Sequence, residues 1–125
     1  MTENEIGELV LGCAIKVHSG LGPGLLESAD ESCLAHELSK TPCVVKRQVV
    51  LPLVYDSIRI DAGYRLDMLI NERVVIEVKS VERLLDIHKA QLLSYLKLGK
   101  FKLGYILNFN VPLMKSGILR LVNGI

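Results

Sequence analysis

The chain has 125 residues, of which 50% are hydrophobic and 23% are charged, and its formal net charge is +1. This length predicts a single domain, residues 1–125, and the composition is too hydrophobic for a disordered chain. The longest apolar runs are shorter than the roughly 18 residues that a membrane-spanning helix needs, so we expect no contact with a membrane. Because the acidic N-terminal segment does not resemble a secretory signal, we expect a cytoplasmic protein.

Charge is divided unevenly along the chain. Residues 1–44 carry two basic and seven acidic side chains (net −5), whereas residues 45–125 carry thirteen basic and seven acidic ones (net +6). The basic half could contact a polyanion such as nucleic acid, or it could be an ordinary solvated surface. Charge alone does not decide between these two possibilities.

Two helices are predicted at the start of the chain. Apolar residues recur at helical spacing from Ile6 to Val17, which predicts an amphipathic helix from about residue 2 or 3 to His18. The glycine-rich segment 19–24 ends this helix. A second helix is expected from about residue 24 or 25 to just before Thr41. Its apolar face is predicted to include Leu25, Leu26 and Ala29, with Glu27, Asp30 and Glu31 on another face.

Runs of β-branched residues predict strands over residues 44–53, 58–60, 64–70 and 74–80. In the last two strands the even-numbered positions are apolar, which puts Asp67, Glu77 and Lys79 off the main core face. Both apolar sets share one face only if the connecting loop has three residues, 71–73, or contains a compensating bulge. This register places Asp67 opposite Glu77.

A third helix is predicted from about residue 86 or 87 to 98. Its inward positions are expected to be Ile87, Ala90 and Leu93, with Leu96 as a further candidate, and His88, Gln91 and Tyr95 are expected on an adjoining stripe. Strands over residues 103–109 and 117–122 complete the chain. The order α-α-β-β-β-α-β-β predicts an α/β fold in which a mixed sheet of about five strands is flanked by helices.

Asp67, Glu77 and Lys79 are the residues best placed to carry chemistry. Two directly opposed carboxylates repel each other unless a cation lies between them or one of them is protonated. Glu and Lys are rarely buried without a partner, yet Glu77 and Lys79 lie within an apolar strand. The pattern indicates either a metal site or a solvent-facing ladder in which Lys79 neutralises the two acids.

These motifs resemble those of the PD-(D/E)XK nuclease superfamily, and nearly the whole chain is similar to its small branch of GxxExxY proteins. The matching segments follow the family order and cover residues 17–27, 64–67, 75–79, 90–96, 104–109 and 117–120. The resemblance implies a restriction-endonuclease-like core. It also implies an enzyme that hydrolyses phosphodiester bonds in DNA or RNA with Mg²⁺ or Mn²⁺.

The resemblance further implies a role for individual residues. Asp67 and Glu77 would hold the metal ion together with the helix-borne Glu27 and the backbone carbonyl of Val78. Lys79 would orient the attacking water and stabilise the developing negative charge. Gln91 matches a helix position that faces the site, where it would contact phosphate or water or, as a structural residue, would bond the edge of the sheet.

One residue departs from the family motif, because Asp30 stands where GxxExxY proteins have a tyrosine. It could add a carboxylate near the metal or be a solvated side chain in place of a packed ring, and we expect the second. The alternative for the whole chain is a catalytically inactive module of the same fold that binds nucleic acid or protein. Its high apolar content for so small a chain also predicts a homodimer.

Overall fold

A computed structural model describes residues 1–124. Its helices are α1 (Glu3–Leu21), α2 (Glu27–Leu38) and α3 (Asp86–Gly99), with a short 3₁₀ helix at Met114–Gly117. Its strands are β1 (Val45–Val50), β2 (Leu53–Tyr55), β3 (Ile58–Ile60), β4 (Arg65–Ile70), β5 (Val74–Lys79), β6 (Leu103–Asn108) and β7 (Ile118–Val122). Within this part of the chain no helix has the length and apolar character of a membrane span.

Five strands form a mixed sheet in the order β1-β4-β5-β6-β7. β5 and β6 are parallel and are connected through α3, whereas the other neighbours are antiparallel. This arrangement confirms the predicted α/β fold. The three α-helices and the five strands of the main sheet follow the predicted order α-α-β-β-β-α-β-β. The predicted strand over residues 44–53 is divided at Pro52, since proline has no N–H group for a ladder. The residues after Pro52 form a separate two-stranded sheet, β2–β3.

The sheet is covered on both faces. One face of β5 and β6 packs against α1 and α2 in a cluster that includes Ile6, Leu34 and Ile76. Val75 and Ile106 point to the opposite face and pack with Leu92, Leu96 and Tyr95 of α3. The fold therefore has two apolar layers, and polar side chains on either face are partly enclosed by helices.

The glycine-rich segment sets where the first two helices end and begin. α1 continues to Leu21, three residues beyond the predicted end, and stops before Gly22, whose φ is +70°. Gly24 has a φ of +93°, so α2 begins at Glu27 instead of residue 24 or 25. Leu25 and Leu26 are consequently exposed, and their predicted inward position is wrong.

The β4–β5 hairpin has the predicted loop. Ile70 pairs with Val74 and Met68 pairs with Ile76, so the connection is the three-residue segment 71–73. Asn71 and Glu72 adopt left-handed conformations with φ of +53° and +57°, and the Asn71 side chain accepts a hydrogen bond from the Val44 N–H at 2.7 Å. This register determines which residues of β4 and β5 face each other.

The inward face of α3 differs from the prediction. Ile87 and Ala90 are exposed, whereas Leu92 and Tyr95 are buried against the sheet; Leu96 is buried, as predicted. Both sets repeat at helical spacing, so periodicity alone does not distinguish them. The contacts with β6 and β7 select the face that contains Tyr95.

Candidate metal centre

Asp67 and Glu77 lie on neighbouring strands, and the carboxyl group of each accepts a hydrogen bond from the backbone of the other strand. The Asp67 N–H donates to Glu77 Oε2 at 2.8 Å, and the Val78 N–H donates to Asp67 Oδ2 at 2.8 Å. The regular pairing of β4 with β5 ends one residue earlier, at Met68 opposite Ile76. Side-chain carboxylates therefore replace backbone carbonyls as acceptors at the point where the two strands separate.

The strand on the other side of Asp67 is also irregular. Arg47 pairs with Met68 and Val49 pairs with Leu66 in one continuous register, while Gln48 between them has a φ of +52° and is not itself paired in the ladder. Leu66 packs in the apolar layer beside α3, whereas Met68 packs in the layer beside α1 and α2. The predicted location of all even-numbered β4 residues on one face is thus wrong at Leu66, because the backbone is distorted around Asp67.

Glu77 is nearly enclosed, with 6% of its surface exposed. Burial, followed by the negative charge of Asp67, raises the pKa of Glu77 from 4.5 to about 8. The hydrogen bond from the Asp67 N–H and the positive charge of Lys79 act in the opposite direction. Near neutral pH the pair therefore retains a proton on Glu77 unless a cation compensates the second charge.

The donor atoms of this pair are suited to a hard divalent cation. Asp67 Oδ1 and Glu77 Oε1 accept no hydrogen bond within residues 1–124, while the other oxygen of each carboxyl group is fixed by a backbone N–H. Mg²⁺ prefers oxygen ligands and is commonly held by one or two carboxylates together with water. A divalent ion also supplies the positive charge that the Asp67 and Glu77 pair lacks.

Lys79 lies two residues beyond Glu77 on the same face of β5 and is half-buried. Its positive charge lowers the pKa of Glu77. Among the ion pairs of residues 1–124, none involves Lys79. The alternative of a solvent-facing ladder neutralised by Lys79 is therefore wrong, because Glu77 is buried and Lys79 does not pair with it.

α3 brings Gln91 and Tyr95 to the same side of the sheet. Gln91 is exposed and, like Tyr95, lines a groove of about 740 Å³. The pKa of the Tyr95 hydroxyl is raised, mainly by burial and then by the negative charge of Glu77. Tyr64 and Asp67 raise it further, while a hydrogen bond with Gln91 lowers it. Tyr95 belongs to the same apolar cluster as Leu66, which precedes Asp67, and Val75, which shares a face of β5 with Glu77. The groove therefore adjoins the part of the sheet that carries the carboxylate pair.

Glu27 is the first residue of α2, and its side chain is exposed. The turn before it is attached to the end of β5, since the Ser80 hydroxyl donates to the Leu25 carbonyl at 2.8 Å. No three acidic, histidine or cysteine side chains of the described chain lie close enough together to hold a metal ion. Glu27 therefore does not join Asp67 and Glu77 in a preformed cluster, and its role as a ligand stays a prediction.

Asp30 is buried, with 1% of its surface exposed, and neither of its carboxyl oxygens has a hydrogen-bond partner among the residues that the structure describes. The expectation of a solvated side chain at this position is wrong. α2 turns Asp30, Glu31 and Leu34 inward, so the face predicted to be solvated packs against the rest of the protein. Burial raises the pKa of Asp30, the charge of His18 lowers it, and the charge of Glu27 raises it further.

Glu31 is a further acidic residue of α2, and no role was predicted for it from the sequence. Its Oε2 accepts from Arg47 Nε at 2.8 Å and Nη2 at 2.7 Å, and its Oε1 accepts from Gln48 Nε2 at 3.0 Å. Its negative charge contributes to the raised pKa of Glu77. Its spacing of four residues from Glu27 indicates that both lie on the same side of α2. Its partners Arg47 and Gln48 on β1 become evident only in the folded chain.

A mixed five-stranded sheet flanked by helices, with acidic residues where the central strands separate, defines a restriction-endonuclease-like protein. Residues 4–121 match the family model of the PD-(D/E)XK nuclease superfamily. Because this match covers most of the 125 residues, the chain belongs to that superfamily. Comparisons with curated proteins and with solved structures give no significant match.

Proposed function

We propose that this protein is a nuclease of the GxxExxY branch that hydrolyses phosphodiester bonds in nucleic acid with Mg²⁺ or Mn²⁺. The observation that carries this proposal is the pair of the buried Glu77 and the half-buried Asp67, whose charges need a cation, with Lys79 beside it. Nucleases of this superfamily generally use divalent metals. The donor set on β4 and β5 agrees with such an ion.

Asp67 and Glu77 would hold the ion, together with the backbone carbonyl of Val78 and with Glu27 from the start of α2. When bound, the ion would polarise the scissile phosphate and lower the pKa of a coordinated water. The hydrogen bonds from the Asp67 and Val78 N–H groups fix one oxygen of each carboxyl group. The site is therefore oriented before substrate arrives, which lowers the reorganisation that catalysis requires.

Lys79 would contact the attacking water or a phosphate oxygen. Negative charge develops on the phosphate during hydrolysis, and a positioned ammonium group in a poorly hydrated site stabilises that charge. Lys79 forms no ion pair within residues 1–124, which supports this role, since a pair with Asp67 or Glu77 would occupy the same ammonium group. Gln91, which lines the groove, would make a further contact with phosphate or water.

The proposal is tested by incubating the purified protein with labelled DNA and RNA in Mg²⁺, in Mn²⁺ and in a chelator. We expect cleavage with either ion and none in the chelator, and we expect Glu77→Ala to abolish cleavage. Cleavage that continues in the chelator, or an unchanged rate in Glu77→Ala, would contradict the proposal. The same gels separate DNA from RNA as substrate.

The alternative function is a non-catalytic module of the same fold that binds nucleic acid or protein. Two observations favour it: no third acidic side chain of residues 1–124 joins the Asp67 and Glu77 pair, and a buried Asp30 stands in place of the motif tyrosine. Binding of nucleic acid without cleavage in either ion would support this alternative. Location in the cytoplasm stays a prediction under both proposals.

We also propose that the protein forms a homodimer through the β2–β3 hairpin. Val54, Tyr55 and Ile58 of this hairpin are 60%, 71% and 60% exposed, although they are large and apolar. A second copy of the chain would cover them. Static light scattering is expected to give twice the chain mass of 13.9 kDa, and Ile58→Lys is expected to give the monomer mass. A monomer at high micromolar concentration of the unmodified chain would contradict this proposal.

A further inference from the structure

The groove beside α3 has a volume of about 740 Å³. Its lining residues are Leu53, Tyr64, Ile87, His88, Ala90, Gln91, Ser94, Tyr95, Lys97 and Leu98. Clefts of this size hold small organic molecules or individual groups of a larger ligand. Tyr95 lines the groove and belongs to the same apolar cluster as Leu66 and Val75, which stand beside Asp67 on β4 and Glu77 on β5, so a ligand in the groove would lie near the reacting phosphate.

Two aromatic rings form part of the groove wall. The ring centroids of Tyr64 and Tyr95 are 5.9 Å apart, and the rings are inclined by 51°. Tyr95 is buried, whereas Tyr64 is 39% exposed, so Tyr64 is accessible to a ligand. Exposed aromatic rings in a nuclease offer stacking surfaces for nucleobases.

The remaining lining matches the chemistry of an unpaired base. Apolar side chains such as Leu53 and Ile87 can contact the face of a base, and Gln91 and Ser94 can hydrogen-bond its edge. Lys97 is positively charged, and none of the described residues that line the groove is acidic, which favours the approach of a polyanion. All of these residues belong to residues 45–125, the half of the chain with a net charge of +6.

A duplex would make less use of this groove. Double-stranded nucleic acid keeps its base faces stacked and presents its sugar-phosphate backbone outward, which calls for several cations at the contact. Among the described residues, the lining of the groove has one lysine and several apolar side chains instead. An unpaired nucleotide exposes the flat apolar face that such a lining can bind.

We infer that the groove binds an unpaired nucleobase adjacent to the scissile phosphate and that the substrate is therefore single-stranded nucleic acid. This inference rests on the proposed nuclease function and specifies its substrate class. Tyr64 provides the stacking surface, and Gln91 and Ser94 contact the edge of the base.

The test compares single-stranded and duplex oligonucleotides of one sequence, with cleavage measured in Mn²⁺ and binding measured by fluorescence anisotropy in Ca²⁺. We expect the single strand to be cleaved at least about tenfold faster than the duplex. Tyr64→Ala is expected to weaken single-strand binding by about 5- to 100-fold, the range for loss of one stacked base. Tyr64→Phe keeps the ring and is expected to bind like the unmodified protein.

A second variant tests the groove independently, in case Tyr64→Ala does not fold. Ile87 is 69% exposed, so Ile87→Glu should fold normally, and its negative charge in the groove is expected to weaken single-strand binding as well.

Cleavage of both substrates at equal rates, unaffected by Tyr64→Ala and Ile87→Glu, would overturn the inference while the nuclease proposal stands. Single-strand binding that depends on Tyr64 without any cleavage would support the groove and overturn the nuclease proposal. Absence of binding to either strand form would overturn the inference.

Discussion

Lys79→Ala is expected to lower the rate constant of phosphodiester cleavage by about 100- to 1,000-fold, the usual cost of losing one electrostatic contact to the transition state. Lys79 lies beside the carboxylate pair and makes no ion pair within residues 1–124, so its ammonium group is available to contact the reacting phosphate. The effect should fall on kcat more than on KM, because the contact strengthens as negative charge develops. Initial rates over a range of substrate concentrations separate the two constants.

Lys102→Ala is the matched control for this experiment. Lys102 is exposed and lies at the opposite end of the β5–β6 pair from Lys79. Lys102 directly precedes Leu103, which pairs with Val74, whereas Lys79 pairs with Asn108. We expect nearly full activity from Lys102→Ala. If the two lysine variants lose activity equally, Lys79 contributes only to the general positive charge and its proposed catalytic role is wrong.

Glu77→Gln is expected to stabilise the metal-free protein at pH 8. The pKa of Glu77 is about 8 in the folded protein, above the ordinary value of 4.5. Between these two values the unfolded chain has lost the proton and the folded chain retains it, so the stability of the unmodified protein falls as pH rises from 4.5 to 8. The glutamine side chain of the variant carries no charge and can still accept from the Asp67 N–H. The expected gain in unfolding free energy at pH 8 is about 1–3 kcal/mol, with a smaller dependence on pH.

Urea unfolding in a chelator, at pH 5 and at pH 8, measures this effect. Glu8→Gln, at an exposed position of α1, serves as the control and should change the unfolding free energy by less than about 0.5 kcal/mol. If the unmodified protein became more stable from pH 5 to pH 8, and Glu77→Gln gave no gain, burial and repulsion would not be the dominant influences on Glu77.

The strand register could be predicted because its rule is strict. Side chains of a strand alternate between two faces. The even-numbered residues of β4 and β5 are apolar, so they share one face only if the numbers of two paired residues add up to an even number. This requirement predicted the three-residue loop and the opposition of Asp67 and Glu77. The observed pairs Ile70–Val74 and Met68–Ile76 confirm that register.

The orientation of helices was less accessible from the sequence. Helical spacing shows that a stripe exists, but tertiary contacts decide which stripe faces the sheet. Asp30 was expected in solvent and is buried, whereas Ile87 was expected inside and is exposed. The predictions failed because α2 has polar residues on its buried face and α3 has apolar residues on its open face. Ile87, on that open face, lines the groove.

Local distortion around Asp67 also could not be predicted. The alternation of β4 breaks between Leu66 and Met68, because Asp67 exchanges side-chain hydrogen bonds with the backbone beside it and Gln48 adopts a left-handed conformation. These interactions join residues that are far apart in the chain. Sequence periodicity contains no signal for them, whereas the identity of Asp67, Glu77 and Lys79 as candidates was evident from their pattern and from the family resemblance.

Isothermal titration of Mn²⁺ into the unmodified protein and into Asp67→Asn at pH 8 tests most directly whether Asp67 and Glu77 hold a divalent ion. The asparagine side chain of the variant retains an oxygen that can accept from the Val78 N–H, so the variant should keep the local structure and lose one charged ligand. We predict binding of Mn²⁺ to the unmodified protein and loss of that binding in Asp67→Asn. Absence of binding at millimolar Mn²⁺, or equal binding by both proteins, would contradict a metal centre at this carboxylate pair.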